Sequence, residues 1–196
     1  MKKKMHVRWL ACIGWLLLCG TLSAQNVQLK TNLLYDATAT INLGAEWAWD
    51  EHRSLDISGN YNGWKLGDRK WKHWMVQPEM RYWLTRVFDG HYLGVHLHGG
   101  QLNVGHLPFG GYSWQNYYKQ GWFYGAGISY GYQWNIGKRW KMETGLGLGY
   151  ARFDYDEYGC PICGGKLKED ARNYWGVTKV NLSLIYVLPS SSATRR

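Results

Sequence analysis

Cysteine, proline and long apolar runs are scarce in this sequence. It has four cysteines and four prolines in 196 residues, and Cys12 and Cys19 belong to the N-terminal segment. A structural zinc site needs four ligands, and the two later cysteines supply only half of them. After Leu18 no stretch approaches the roughly eighteen consecutive apolar residues that a transmembrane helix needs. The sequence therefore excludes a helical membrane protein and a complete cysteine-ligated zinc site.

The N-terminus has the three parts of a secretory signal. Basic residues occupy Met1 to Arg8, an apolar run follows from Trp9 to Leu18, and Ala24 supplies a small residue before Gln25. We expect residues 1–24 to be a cleaved signal peptide, with lipidation at Cys19 as the weaker alternative because Leu18 is not a small residue. Without this segment, 19 basic and 14 acidic residues remain, a formal charge of +5. This mild and scattered charge excludes a nucleic-acid partner.

Strict alternation between apolar and small residues identifies the strands. In the segment 122–135 the apolar parity begins and ends with aromatic residues that have polar tips, as in a strand that crosses a bilayer. The same period of two recurs in eight segments, at 29–35, 38–49, 54–63, 73–84, 91–104, 122–135, 140–151 and 174–188. Pro78 cannot donate to a ladder, so we expect a bulge or a local break there.

Connection lengths indicate the topology. Short links at 50–53, 85–90 and 136–139 alternate with longer links at 64–72, 105–120 and 153–173. Outer-membrane barrels have short periplasmic turns and long extracellular loops. We therefore predict an all-β chain in which residues 25–189 form one eight-stranded antiparallel up-and-down transmembrane β-barrel of the outer-membrane type, monomeric and in contact with outer-membrane lipid. Residues 190–196 are then a polar C-terminal tail.

A soluble lipocalin-like ligand carrier is the alternative fold, since periodicity alone does not tell whether the apolar face meets lipid or a core. The polar parity consists mostly of Gly, Ser and Asn rather than Lys, Glu and Thr. This composition favours a crowded barrel interior over a solvated face, and hence the outer membrane of a Gram-negative cell.

Charged residues on the inward parity are nearly balanced in sign. The interior of an eight-stranded barrel is only just wide enough for its own side chains, and buried charges must be paired. We expect a lumenal network that fills the barrel, with a narrow ion or proton channel as the alternative. Its predicted members are Glu46, Asp56, Glu79, Arg81, Lys141, Glu143 and Lys179.

Two motifs lie in the predicted long loops. Cys160 and Cys163, in Cys-Pro-Ile-Cys-Gly, offer two thiols, which is consistent with a loop disulfide, with free thiols or with a metal site completed by other ligands. We expect no other cofactor. The loop 105–120 carries aromatic residues that either bind a surface partner or anchor at the lipid interface, namely Phe109, Tyr112, Trp114, Tyr117 and Tyr118.

Catalytic constellations are missing from the sequence. Histidines at 73, 91, 96, 98 and 106 have no convincing nucleophile beside them, and Ser113 and Ser129 are ordinary loop or strand serines. We therefore expect a non-enzymatic protein, and the alternative is a lipid-modifying barrel enzyme.

Several stretches resemble one family. They are the segments 29–38, 42–44 and 71–79, then Arg81-Tyr82-Trp83, the motif 160–164, and Thr178-Lys179. Through them the mature chain resembles domain-of-unknown-function family 3575, a family of small secreted Gram-negative proteins. The resemblance implies an outer-membrane barrel with no assigned activity, whose genes often lie near those for surface fimbriae. It therefore suggests an extracellular or fimbrial protein partner and a role in fimbrial assembly or anchoring.

Overall fold

The computed structural model describes residues 27–66, 69–106, 117–159 and 165–188 of the chain. The predicted signal peptide and C-terminal tail lie outside these residues. Eight strands and one short helix account for most of the described chain. They are β1 (Val27–Asn32), α1 (Leu33–Ala37), β2 (Ile41–Ala48), β3 (Arg53–Leu66), β4 (Arg69–Trp83), β5 (Gly90–Gly105), β6 (Tyr118–Asn135), β7 (Trp140–Tyr158) and β8 (Lys166–Val187).

The strands form a closed barrel. Each strand pairs antiparallel with the next one along the chain, and β1 pairs with β8, Gln28 lying opposite Val187. The prediction of an all-β chain with eight antiparallel up-and-down strands is confirmed. At the levels of the barrel where all eight strand pairs are present, closure leaves no free sheet edge.

The two ends of the barrel differ. At one end, here called the turn end, the connections 49–52, 84–89 and 136–139 are short. At the other, the hairpin end, the paired strands run further than predicted. Strand β7 continues to Tyr158 and β8 begins at Lys166, so most of the predicted loop 153–173 is a two-stranded ladder.

The first strand is shorter than predicted. It ends at Asn32, and Leu33–Ala37 forms one helical turn instead of the end of a strand. The Asn32 side chain accepts a hydrogen bond from the Leu34 backbone N–H at 3.1 Å, which is the contact of an N-cap. No helix among the described residues is long and apolar enough to cross a membrane.

Pro78 interrupts one ladder, as predicted. Between β4 and β5 the pairing stops after Val76 and resumes at Glu79, without a shift in register. Pro78 still lies opposite Ile57 of β3. A local break without a bulge results because proline removes one donor but leaves the strand direction unchanged.

Polar side chains fill the barrel and apolar side chains cover it. Among the described residues, twenty buried side chains are polar or charged and ten are apolar. On the outside, Val95, Ile128 and Leu148 lie side by side on β5, β6 and β7, each more than half exposed. This distribution is the reverse of that in a water-soluble domain.

Candidate functional site

Arg81 lies at the centre of the barrel and is almost completely buried. Its two Nη atoms donate to the two carboxylate oxygens of Glu143 at 2.8 and 3.0 Å. The same guanidinium also reaches Glu46 at 2.8 Å and Asp56 at 2.9 Å, and its Nε donates to Glu79 at 2.6 Å. Arg81 thus joins four carboxylates from strands β2, β3, β4 and β7, which the planar five-donor guanidinium can do and an ammonium cannot.

Two lysines complete the neutralisation of these carboxylates. The Lys30 ammonium lies 2.5 Å from Glu46 and 3.4 Å from Glu143. The Lys179 ammonium lies 2.7 Å from Glu79. The lumenal network, defined as Lys30, Glu46, Asp56, Glu79, Arg81, Glu143 and Lys179, therefore contains four acids and three bases, all buried.

Neutral side chains donate further hydrogen bonds to the buried carboxylates. Asn181 and the Tyr92 hydroxyl donate to Glu143 at 2.7 and 3.0 Å, and Ser129 donates to Glu79 at 3.1 Å. Among the carboxylate oxygens of the network, Asp56 Oδ1 is buried without a hydrogen-bond partner. Because charged groups in a low-dielectric interior need such partners, this arrangement fixes the side chains and fills the lumen.

The network agrees with the sequence prediction at six of its seven positions. Lys141 is the exception, because its ammonium donates to the Phe88 carbonyl at 2.6 Å, near the turn end. Lys30 was not predicted, although strict alternation between Leu29 and Thr31 gives it the inward parity. Tyr92 was also missed, although alternation with Leu93 and Val95 gives it the inward parity.

Aromatic rings close the lumen at the turn end. Trp83 and Tyr92 are fully buried, their ring centroids lie 5.0 Å apart, and Phe88 packs against Trp83. The Trp83 indole N–H donates to Ser54 at 2.8 Å. Together with the lumenal network, this cluster fills the barrel interior with two successive layers of buried side chains.

Two histidines lie above the network, towards the hairpin end. His96 Nε2 is 2.9 Å from the Thr178 hydroxyl, and the His96 and His98 ring centroids are 5.7 Å apart. His98 is buried, and its Nδ1 has no hydrogen-bond partner. Within the described part of the chain, no three His, Cys, Asp or Glu residues are grouped as a metal site would need.

The predicted loop residues have different outcomes. Phe109, Tyr112 and Trp114 lie outside the described residues, as do Cys160 and Cys163, so these predictions stay predictions. Tyr117 precedes β6 directly. Tyr118 was assigned to the loop, but it is the first residue of β6 and is buried opposite Gly105, where a β-carbon would collide with its ring. Because Gly105 has no side chain, the Tyr118 ring can pack over it, and Tyr118 belongs to the strand instead of the loop.

Comparisons with known proteins give a family and no activity. Residues 10–188 match the family model described as "Protein of unknown function (DUF3575)". The comparison with curated proteins and the comparison with solved structures found no match.

Proposed function

The chain belongs to this family of proteins of unknown function, and from its geometry we propose that it is a non-enzymatic outer-membrane β-barrel with a closed lumen, whose hairpin end binds a surface partner. The membrane location is the basis of this proposal. The partner is proposed to be a protein, with fimbrial components as the first candidates because of the gene neighbourhood that the family resemblance implies.

The distribution of polar and apolar side chains carries the membrane part of the proposal. A row of exposed aliphatic side chains on β5, β6 and β7 belongs to an apolar outer surface that also includes Ile57 and Met80. Monomeric soluble proteins rarely expose apolar patches beyond a few hundred Å². A soluble lipocalin-like carrier would have the opposite arrangement, with its apolar side chains inside.

Aromatic residues at both ends of this surface support the same location. Towards the hairpin end, Tyr61 pairs with Trp74, and Trp122 packs edge-on against Trp74 at a centroid distance of 5.9 Å. Towards the turn end, Trp140 packs against Tyr186 at 5.1 Å. Tryptophan and tyrosine are enriched at the two interfaces of a bilayer because their rings are apolar and their tips are polar.

The closed lumen argues against a channel. A conducting pore needs a continuous aqueous path, whereas the Arg81 guanidinium and the Trp83 and Tyr92 rings occupy the barrel axis. Two buried serines that contact the network do not resemble nucleophiles either. Ser54 and Ser129 donate to the carboxylates of Glu46 and Glu79, so neither is hydrogen-bonded to a histidine base.

A cleft at the hairpin end supports the partner-binding part. It has a volume of about 860 Å³ and is lined by aromatic, amide and charged side chains. Trp74 donates to Gln101 at 3.0 Å, and Arg152 pairs with Asp154 at 3.0 Å on the neighbouring wall. Arginine is one of the residue types that most often dominate protein interfaces.

Single-cysteine labelling on intact cells tests the location and the orientation together. In a chain with Cys160 and Cys163 replaced by serine, Leu167→Cys at the hairpin end is expected to react with a membrane-impermeant maleimide. Lys138→Cys, in the turn between β6 and β7, is expected to react only after the cells are broken. Equal labelling of both positions on intact cells, or recovery of the protein in the soluble fraction, contradicts the proposal.

Loop replacement tests the partner. Replacing residues 107–116 by an equally long Gly-Ser segment removes three predicted contact residues, Phe109, Tyr112 and Trp114. Cells with this variant are expected to carry fewer attached fimbriae by electron microscopy, with an unchanged amount of barrel in the outer membrane. Normal fimbriation with a normal amount of barrel contradicts the fimbrial assignment.

A further inference from the structure

The barrel wall is incomplete at one place near the hairpin end. β1 pairs with β8 only as far as Asn32 and Ser183, and β2 begins at Ile41, opposite Tyr61 of β3. Beyond these positions β3 pairs only with β4, and β8 pairs only with β7. The space between the end of β3 and the upper part of β8 is here called the side gap.

The segment with α1 covers the side gap through side-chain hydrogen bonds instead of a ladder. On the β8 side, the Asn32 amide donates to the Val180 carbonyl at 3.1 Å. On the β3 side, Asn62 donates to the Thr40 hydroxyl at 2.8 Å and the Trp64 indole donates to the Ala39 carbonyl at 3.0 Å. A few such bonds separate far more easily than a continuous strand pair.

An apolar cavity lies behind this cover, above the lumenal network. This upper chamber has a volume of about 520 Å³, within the range of small-molecule sites. Its apolar lining includes Leu34, Leu102, Val104, Phe123, Phe153 and Val177, and three threonines, His73 and Lys179 also line it. Apolar side chains form a larger share of the interior here than around Arg81, although Lys119, opposite Val104, is buried at the same level.

The upper chamber reaches the outer surface of the barrel. Leu102 and Val104 are buried on the lumen side of β5. Val177 and Val180 also line the chamber, yet they pair with Leu148 and Leu146 and are half-exposed on the outer, apolar face of β8. One cavity therefore joins the lumen to the outer surface through the side gap.

Uncompensated positive charge lies next to the gap. Lys65 on β3 pairs directly with Lys70 on β4, and Lys72 lies two residues further along the same face. None of the three forms an ion pair with a described residue, and like charges placed directly opposite each other are unfavourable. Lys70 lies on the hairpin-end side of Trp74, and burial together with the charges of Lys72 and Lys65 lowers the pKa of its ammonium group.

We infer that the upper chamber is a binding site for an acyl chain of an anionic, phosphate-bearing lipid of the surrounding leaflet, which enters through the side gap. The apolar walls bury the chain, and the three lysines attract the headgroup outside. This inference rests on the membrane location proposed above. It adds a ligand class and an entry route to a barrel that is closed along its axis.

Photolabelling in vesicles tests this site. The refolded barrel is placed in phosphatidylcholine vesicles that contain a trace of phosphatidylglycerol with a diazirine at the end of one acyl chain. After illumination, the labelled residues are identified by mass spectrometry. We expect label on Leu102, Val104 and Phe123 in addition to outward residues such as Val95 and Ile128. The same diazirine chain on phosphatidylcholine is expected to label the chamber several-fold less.

Two variants of one strand provide the matched control. Val104→Trp fills the chamber and is expected to abolish the label on Phe123. Val95→Trp makes the same change on the outer face of β5, and the label on Phe123 is expected to remain. If Val104→Trp does not fold, Leu102→Phe tests the same wall with a smaller change. Replacing Lys65, Lys70 and Lys72 together by glutamine is expected to remove the preference for phosphatidylglycerol.

The outcomes separate the site from the membrane location. Label on outward residues without label in the chamber overturns the acyl-chain site and leaves the membrane location standing. Label on neither set, from a barrel that is folded by its gel mobility, overturns both. Label in the chamber that persists in Val104→Trp shows non-specific reaction and also overturns the site.

Discussion

The guanidinium of Arg81 and the carboxylate of Glu143 form a bidentate ion pair across the centre of the barrel. The two residues are 62 positions apart in the chain. Both side chains are buried, and the same guanidinium forms ion pairs with three more carboxylates. Its removal leaves four buried acids with only Lys30 and Lys179 to neutralise them.

Arg81→Met is therefore expected to destabilise the barrel by about 3–5 kcal/mol, because unpaired buried charge is far more costly than a lost surface pair. Urea unfolding in vesicles, followed by the mobility of unboiled samples on gels, measures the change. Arg53→Met is the control, since Arg53 is exposed and lies 3.7 Å from Asp50. It is expected to change stability by less than about 1 kcal/mol. Equal losses in the two variants would contradict the central role of Arg81.

A second prediction separates two lysines. Lys30→Met removes a cation within 3.5 Å of three carboxylates and is expected to cost about 3 kcal/mol. Lys141→Met removes one hydrogen bond to the Phe88 carbonyl and is expected to cost about 1 kcal/mol. The same urea titration compares the two variants. A larger loss of unfolding free energy in Lys141→Met than in Lys30→Met would contradict the assignment of Lys30 to the lumenal network.

A third prediction concerns the space for Tyr92. Gly131 lies opposite Tyr92, and a β-carbon there would collide with the Tyr92 ring, which packs on Trp83 and donates to Glu143. Gly131→Ala is expected to cost about 1–3 kcal/mol because the ring cannot move without breaking these contacts. Gly137→Ala, whose β-carbon would have its nearest neighbour at 3.8 Å, is expected to be neutral within about 0.5 kcal/mol. A neutral Gly131→Ala would show that the turn-end cluster is loosely packed.

A fourth prediction concerns conduction. The purified barrel is expected to give no discrete current steps in planar bilayers, because ion pairs and aromatic rings occupy its axis. A porin in the same bilayer is the positive control. Current steps that disappear in Arg81→Met or Glu79→Gln would support the channel alternative and refute a closed lumen.

The sequence by itself determined the strand count, the antiparallel order and most of the inward residues. These features depend on near neighbours, because side chains alternate with a period of two and short links allow only antiparallel pairing. Glu46, Asp56, Glu79, Arg81, Glu143 and Lys179 could therefore be assigned to the lumen before any contact was known. The break at Pro78 was predictable for the same reason, since proline lacks a donor wherever it lies.

Only the tertiary structure decided which of these residues meet and where the alternation changes. An irregularity between Gly147 and Leu148 shifts the register of β8 by one residue. Trp175 then lies opposite Tyr150 and packs on its ring, where the uninterrupted register would place Gly176. Tyr174, which uninterrupted alternation with Val180 and Leu182 predicts to face outward, lies opposite Ala151 instead. One inserted residue reverses the face of every residue beyond it, and its position is set by the partner strand, not by the local sequence.

The side gap likewise depends on contacts between residues that are distant in the chain. The lengths of β1 and β8 differ because Asn32 caps a helical turn where the pattern would continue a strand. Local sequence offers both conformations to residues 33–37, and contacts with β3 and β8, far away in the chain, select one of them. Local periodicity thus determined the barrel, whereas long-range packing decided its ion pairs, its register and the place where its wall is open.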